Sequence, residues 1–333
     1  VFLGLAFLSK ISVFFIALGM FLFPVINAKN RTHLKEYRFY ASFLIAFLIF
    51  LPFLIWNYQH KWAFFTYQGS HIARAGTINS FIELWSGTAL LLGPVLFYFI
   101  VTLSVKYSFF NFKNDVKHST QLFYFGCITI VPLVYFVSHS LFSRFELNWP
   151  APIFYGGIFL FSIHLGENIW KYKKRLFFQW GFSLFLILLI TVQTFYPFVP
   201  LKGKSDTTNR YFIYTGLLNQ LDEYLTQHPD LNTFRISANN YQIPSMVNFY
   251  LKPEKEAVCL SIRYHRTLYS FLYPMDALSG TEMLFIGKGR ASPSFLSDYW
   301  DNIQFLTDLS SERDGEIIQE YSLWKLSSDV FQR

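Results

Sequence analysis

Six long stretches dominated by apolar side chains constrain this chain more than any other feature. They cover residues 1–26, 39–56, 81–105, 122–142, 151–166 and 176–198. A helix needs about 20 such residues to cross a bilayer, and in hydrocarbon every backbone N–H and C=O must find a partner within the protein. The fifth stretch is the shortest. Pro24, Pro52, Pro94 and Pro132 lie in or at the ends of these stretches, where membrane helices tolerate them. Composition agrees, with 53% hydrophobic and 15% charged residues and 41 Phe in 333 positions. Soluble domains average about 25% charged.

The net charge of +7 is unevenly placed. Residues 1–197 hold 15 Lys/Arg against 5 Asp/Glu, and residues 198–333 hold 13 against 16. The basic excess belongs to the apolar half, where it orients helices, so nucleic acid is not an expected partner. Lys29, Arg31, Lys35 and Arg38 separate the first two stretches. Lys106, Lys113 and Lys117 follow the third, and Lys171, Lys173, Lys174 and Arg175 follow the fifth. The alternate connections hold only Lys61, Arg74 and Arg144. Positive charge concentrates on the cytoplasmic side, which predicts residues 57–80, 143–150 and everything after about Pro200 to be outside.

The pattern after Pro200 is that of a soluble domain. Two domains are therefore expected, a membrane region over 1–199 and an α/β outer domain over 200–333. Residues 210–225 predict an amphipathic helix, with Tyr211, Leu217, Leu218, Leu221 and Leu225 at near-helical spacing. Short strands are expected over 234–238, 257–262, 283–286, 303–306 and 316–326, with helical segments near 243–251 and 294–300. The expected fold is a polytopic α-helical membrane protein of about six spans followed by a small α/β sandwich.

Candidate site residues cluster on the predicted outer side. Lys10 lies inside an apolar stretch, where an ionisable group either marks a function or snorkels to the interface. Residues 56–62, Trp-Asn-Tyr-Gln-His-Lys-Trp, combine aromatic rings with hydrogen-bonding groups and fit either an aromatic belt or a binding loop around His60. Arg74 and Arg144 carry the forked guanidinium that suits phosphate. Glu83 either pairs with one of these cations or caps its helix.

The polar island 143–152, Ser-Arg-Phe-Glu-Leu-Asn-Trp-Pro-Ala-Pro, stands between two apolar stretches. Arg144 and Glu146 pair with each other in one reading. In the other, Glu146, Asn148 and Trp149 contact a sugar, since aromatic faces and amides suit carbohydrate. Asn240, Tyr241 and Gln242 are candidates for acceptor contact or form a packed turn. Cys127 and Cys259 give neither a disulfide framework nor metal spacing. No cofactor is expected; a divalent metal stays open with no ligand set. Gly287-Lys288-Gly289 lacks the rest of a phosphate loop.

Four places carry a family resemblance: residues 4–10, GLAFLSK; 55–65, IWNYQHKWAFF; 146–152, ELNWPAP; and 240–245, NYQIPS, with 248–251, NFYL. In these the chain resembles the C-terminal portion of bacterial glycosyltransferases of the GT-C superfamily. The likeness is to the family 39, dolichyl-phosphate-mannose–protein mannosyltransferase (ArnT-like) group. The resemblance implies a multi-span enzyme of the bacterial inner membrane whose C-terminal domain is periplasmic. It implies transfer of a sugar from a polyprenyl-phosphate donor, in a membrane-lipid environment, to a protein, lipid or polysaccharide acceptor.

Lys10, His60, Arg74 and Arg144 would then hold the donor phosphate. Such enzymes place a catalytic acid in their first outer loop. None of Glu36, Glu83, Asp115, Glu146 and Glu167, the acids before residue 198, matches it. Val1 opens inside an apolar stretch without an initiator Met, so that acid is expected in a preceding segment. A transporter of lipid-linked saccharide and a non-catalytic membrane subunit are the alternatives.

Overall fold

The computed structural model describes residues 1–26, 28–72, 75–109, 118–166, 169–201, 203–262 and 266–328. It divides into two compact units, Val1–Ile187 and Leu188–Arg333. The first contains helices α1 (Phe2–Ser9), α2 (Val13–Ile26), α3 (Tyr37–Gln59), α4 (Ala63–Ile72), α5 (Ile78–Leu92), α6 (Pro94–Phe109), α7 (Ser119–Ser140) and α8 (Ala151–Leu165). A ninth, α9 (Ile169–Phe195), begins there, and the division falls inside it.

Among the described residues α3, α7 and α9 are each long and apolar enough to cross a membrane. The α5–α6 pair, bent by 110°, adds a fourth if it counts as one broken span. Six continuous spans are therefore not what forms. The first expected span is divided at Lys10–Ser12 into α1 and α2, the third is divided at Gly93, and α8 has only 15 residues.

Each division has a local cause. Lys10 is extended at φ −156°, ψ 121°, and helix resumes at Val13, whose N–H donates to the Lys10 carbonyl. At the other break Gly93 takes φ +83°, and Pro94 brings no N–H and cannot continue the preceding helix. The backbone groups this leaves are taken up by the Gln179 side chain of α9. Its amide nitrogen donates to the Leu92 carbonyl at 2.8 Å, and its oxygen accepts from Leu96 N–H at 3.1 Å. A Cβ on Gly93 would fall 1.8 Å from that amide nitrogen.

Helix α7 is central, packing against α2, α6 and α8. In α8, Gly156 abuts Thr129 of α7 and Gly157 abuts Ile100 of α6, so closely that a Cβ at either would stand under 3 Å from its neighbour. Small residues let membrane helices approach where lipid supplies no hydrophobic drive between them. Leu84, Ile100, Ile130, Leu133, Phe136, Phe145 and Ile153 form the buried cluster beneath the 143–150 connection. The long helices α3 and α9 bury few of their apolar side chains.

The second unit adds α10 (Arg210–Gln227), α11 (Gln242–Tyr250), α12 (Leu268–Leu272) and α13 (Met275–Leu278) to a five-stranded sheet. The strands are β1 (Arg235–Ala238), β2 (Val258–Cys259), β3 (Met283–Lys288), β4 (Asn302–Arg313) and β5 (Glu316–Ser327), in the order β2-β1-β3-β5-β4. β1 runs parallel to β2 and β3, while β5 is antiparallel to both β3 and β4.

Alternation along β3 gives the sheet two apolar faces. Leu284 and Ile286 join Leu217 and Leu221 of α10 on one face; Met283 and Phe285 join Trp300 and Trp324 on the other. The sheet is thus covered on both sides. The helix expected over 210–225 is α10, and β4 is far longer than its apolar core of 303–306. The segment expected to be helical near 294–300 makes one 3₁₀ turn, Ser294–Leu296, whose Leu296 fills the second face.

Candidate functional site

A cavity of about 510 Å³ opens where the first apolar stretch is broken. Its wall takes Ser9, Lys10 and Ser12 from the break, Phe53 from α3, Gln68 from α4 and Tyr135 from α7. Phe145 and Trp149 close it from the polar island. Non-helical backbone at membrane depth is tolerated where it is buried in protein or lines a cavity, and the break does the latter. The lining is mainly aromatic and aliphatic, with few polar groups.

Lys10 is the cation of this wall, and its ammonium donates to the Asn148 carbonyl at 3.1 Å. That carbonyl is the only protein acceptor the ammonium has among the described residues. An ammonium carries three donors, so the bond orients the group and leaves hydrogens for a ligand.

The 143–150 connection is held against the wall by several contacts. Ser143 bridges Ala75 in antiparallel fashion, and Gly76 N–H donates to the Phe142 carbonyl at 2.8 Å. The connections 57–80 and 143–150 therefore meet at one end of the bundle. Phe145 packs on Trp149 at 5.3 Å between ring centres, and Tyr135 stacks with His139 at 5.4 Å.

The structure brings Lys10, Asn148 and Trp149 together across 138 residues of sequence. His60 is turned to its own helix: its ring stacks on Trp56 at 4.2 Å, with Nδ1 2.8 Å from the Trp56 carbonyl. Arg144 lies 3.9 Å from Glu83, not Glu146, and both side chains are more than two-thirds exposed. A pair so exposed contributes little to stability. Glu146 is exposed, and its carbonyl accepts the Trp149 N–H. Arg74 lies outside the described residues, as do Lys113, Lys117, Asp115 and Glu167.

In the second unit Asn240, Tyr241 and Gln242 form the turn that starts α11. Asn240 Oδ1 accepts from Ile243 N–H at 3.3 Å, and Tyr241 is partly exposed. Sequence reasoning did not single out Tyr135, one of two Tyr with Tyr124 in its apolar run. Its only signal was a polar atom on a mainly apolar helix.

One further charged cluster was not legible in the sequence. Arg313, at the tip of β4, is buried against the last turn of α9 and donates to the Gln193 and Thr194 carbonyls. It also donates to Asn209 Oδ1 at 2.6 Å and Thr208 Oγ1 at 2.9 Å, lies 3.4 Å from Asp206 Oδ2, and covers the Phe212 ring at 4.7 Å. Burial alone would raise the Asp206 pKa. Hydrogen bonds from Thr208 and Gln193 and the nearby guanidinium outweigh burial and hold it below the ordinary carboxylate value. This cluster caps a helix end and is already saturated.

Among the described residues no group of three or more His, Cys, Asp or Glu is placed to hold a metal ion. No protein-family model matches the chain, and no curated protein or solved structure matches it.

Proposed function

We propose that this chain belongs to a membrane glycosyltransferase that takes a sugar from a polyprenyl-phosphate carrier on the outer face of the bilayer. The observation that carries the reading is Lys10, an ammonium at a helix break, oriented by the Asn148 carbonyl on the wall of a mainly apolar cavity. A lipid phosphate needs these two environments side by side, and the cavity offers both. In this reading α1–α2 and α5–α6 each cross as one broken span, α8 crosses as a short one, and the cavity opens on the outer side.

The chemistry would proceed by cleavage of the bond between the anomeric carbon and the phosphate oxygen. The acceptor hydroxyl oxygen bonds to that carbon, and its proton passes to a base this chain does not identify. The phosphate leaves with the electron pair, and Lys10 stabilises the charge it gains in a water-poor site. Trp149, on the same cavity wall, would pack on the sugar. The acceptor, whether protein, lipid or polysaccharide, is left open.

The test is sugar transfer in proteoliposomes loaded with a polyprenyl-phosphate sugar. Lys10→Ala should cut transfer severely while the protein stays inserted and folded; full activity in the variant would refute the assignment. A transporter of lipid-linked saccharide is the second reading, favoured by the interruptions at Lys10–Ser12 and Gly93, since transporters build sites from discontinuous helices. It predicts movement of the intact donor between leaflets with no transferred sugar.

A further inference from the structure

The end of the second unit that receives α9 carries a collar of exposed aromatic and aliphatic side chains. Arg313 grips the last carbonyls of α9, and the segments that meet at that grip carry five exposed apolar or aromatic residues. Tyr196 and Phe198 follow the helix directly. Tyr211 adjoins Phe212, whose ring the guanidinium covers. Leu201 and Ile317 line one recess of about 280 Å³ together with Arg313. All five are exposed, Tyr196 at 75% and Tyr211 at 64%.

The length of α9 says what covers them. A hydrocarbon core of about 30 Å takes about 20 helical residues at 1.5 Å each. The basic cluster Lys171–Arg175 marks the polar start of the helix, and twenty residues beyond Arg175 is Phe195, its last residue. Tyr196 therefore falls where hydrocarbon gives way to headgroups, the layer that Tyr favours for its apolar body and polar tip. Because Arg313 fastens the helix end to β4, the collar is held at that same depth.

We propose that this collar seats the second unit on the headgroup layer of the bilayer that α9 enters, so that its partner is lipid. The inference rests on α9 crossing the membrane and is independent of sugar transfer. Phe305, an exposed aromatic on the same strand as Arg313, provides the contrast, since it stands about 26 Å along β4 from the grip.

The experiment uses the full chain in phosphatidylethanolamine–phosphatidylglycerol vesicles containing a lipid with a nitroxide on its headgroup. Single variants Phe198→Cys, Tyr211→Cys, Ile317→Cys and Phe305→Cys are labelled with a small fluorophore. The native Cys127 and Cys259 are buried. Labels at 198, 211 and 317 should be quenched severalfold more strongly than the label at 305. Equal, weak quenching at all four positions would overturn the proposal. So would collar labels shielded from both the lipid quencher and aqueous iodide, because protein would then cover the surface.

Discussion

Replacing Arg313 by Met keeps most of the side-chain volume but removes the guanidinium donors that reach the end of α9. The Gln193 and Thr194 carbonyls, Thr208 Oγ1 and Asn209 Oδ1 lose their guanidinium partner, and the buried Asp206 loses its neighbouring cation. Asp206 keeps its bonds from Gln193 Nε2 at 2.7 Å and from Thr208 N–H at 2.8 Å, so the charge is undercompensated, not bare. Removing one partner of a buried pair costs about 3–5 kcal/mol, equivalent to a roughly 10²–10⁴-fold rise in local opening.

The assay is hydrogen exchange on the full chain in nanodiscs, read over residues 193–209 and the β4–β5 tip. Exchange there should accelerate by that factor while β3 changes less, because regions open with their own free energies. Adding Asp206→Asn to Arg313→Met should restore much of the protection, since no buried charge is then left short of a partner. Protection in Arg313→Met equal to the parent would refute the reasoning. A double variant worse than the sum of the singles would place the cost in lost packing over Phe212.

The same cluster predicts acid sensitivity. Asp206 has a lowered pKa in the folded state, so its contribution is fully present above about pH 4 and is lost as pH falls through the lower folded value. Melting of the second unit followed by circular dichroism from pH 6 to pH 3 should show a steep acid limb, flattened in Asp206→Asn; an unchanged limb would exclude Asp206 as its source. At the other break, Gln179→Leu strands the Leu92 carbonyl and Leu96 N–H and should cost about 1–3 kcal/mol. A lower thermal-unfolding midpoint in detergent would show it, whereas an unchanged midpoint would mean that the α5–α6 bend closes its own backbone bonds.

Apolar length identified the half of the chain that holds the helices long and apolar enough to cross a membrane. It did not reveal where the helices break. The GLAFLSK run reads as continuous helix to any count of hydropathy, and the extended Lys10 becomes visible only when the 143–150 connection supplies the Asn148 carbonyl. Pro94 was visible as a proline, but Gln179, whose side chain takes up the backbone groups left open at the 110° bend, lies more than eighty residues later in the chain.

In the second unit, α10 and the interior strands followed from periodicity. The length of β4 did not, because residues 307–313 are largely polar, and their pairing with β5 is what orders them. Arg144 and Glu83 illustrate the same limit: the sequence offered both Glu146 and Glu83 as partners of an outer cation, and only tertiary placement decided for Glu83. Lys10 and Trp149 were legible singly; their convergence on one cavity was not.

The most direct test of the account is retention of a polyprenyl phosphate by the full chain, measured by native mass spectrometry from detergent micelles. The parent protein should retain the lipid. Lys10→Met should lose most of that retention, and Lys10→Arg should keep part of it, because a cation remains at the cavity wall. Equal retention by the parent and Lys10→Met would contradict the account, for the lipid phosphate would then be held somewhere other than the break between α1 and α2.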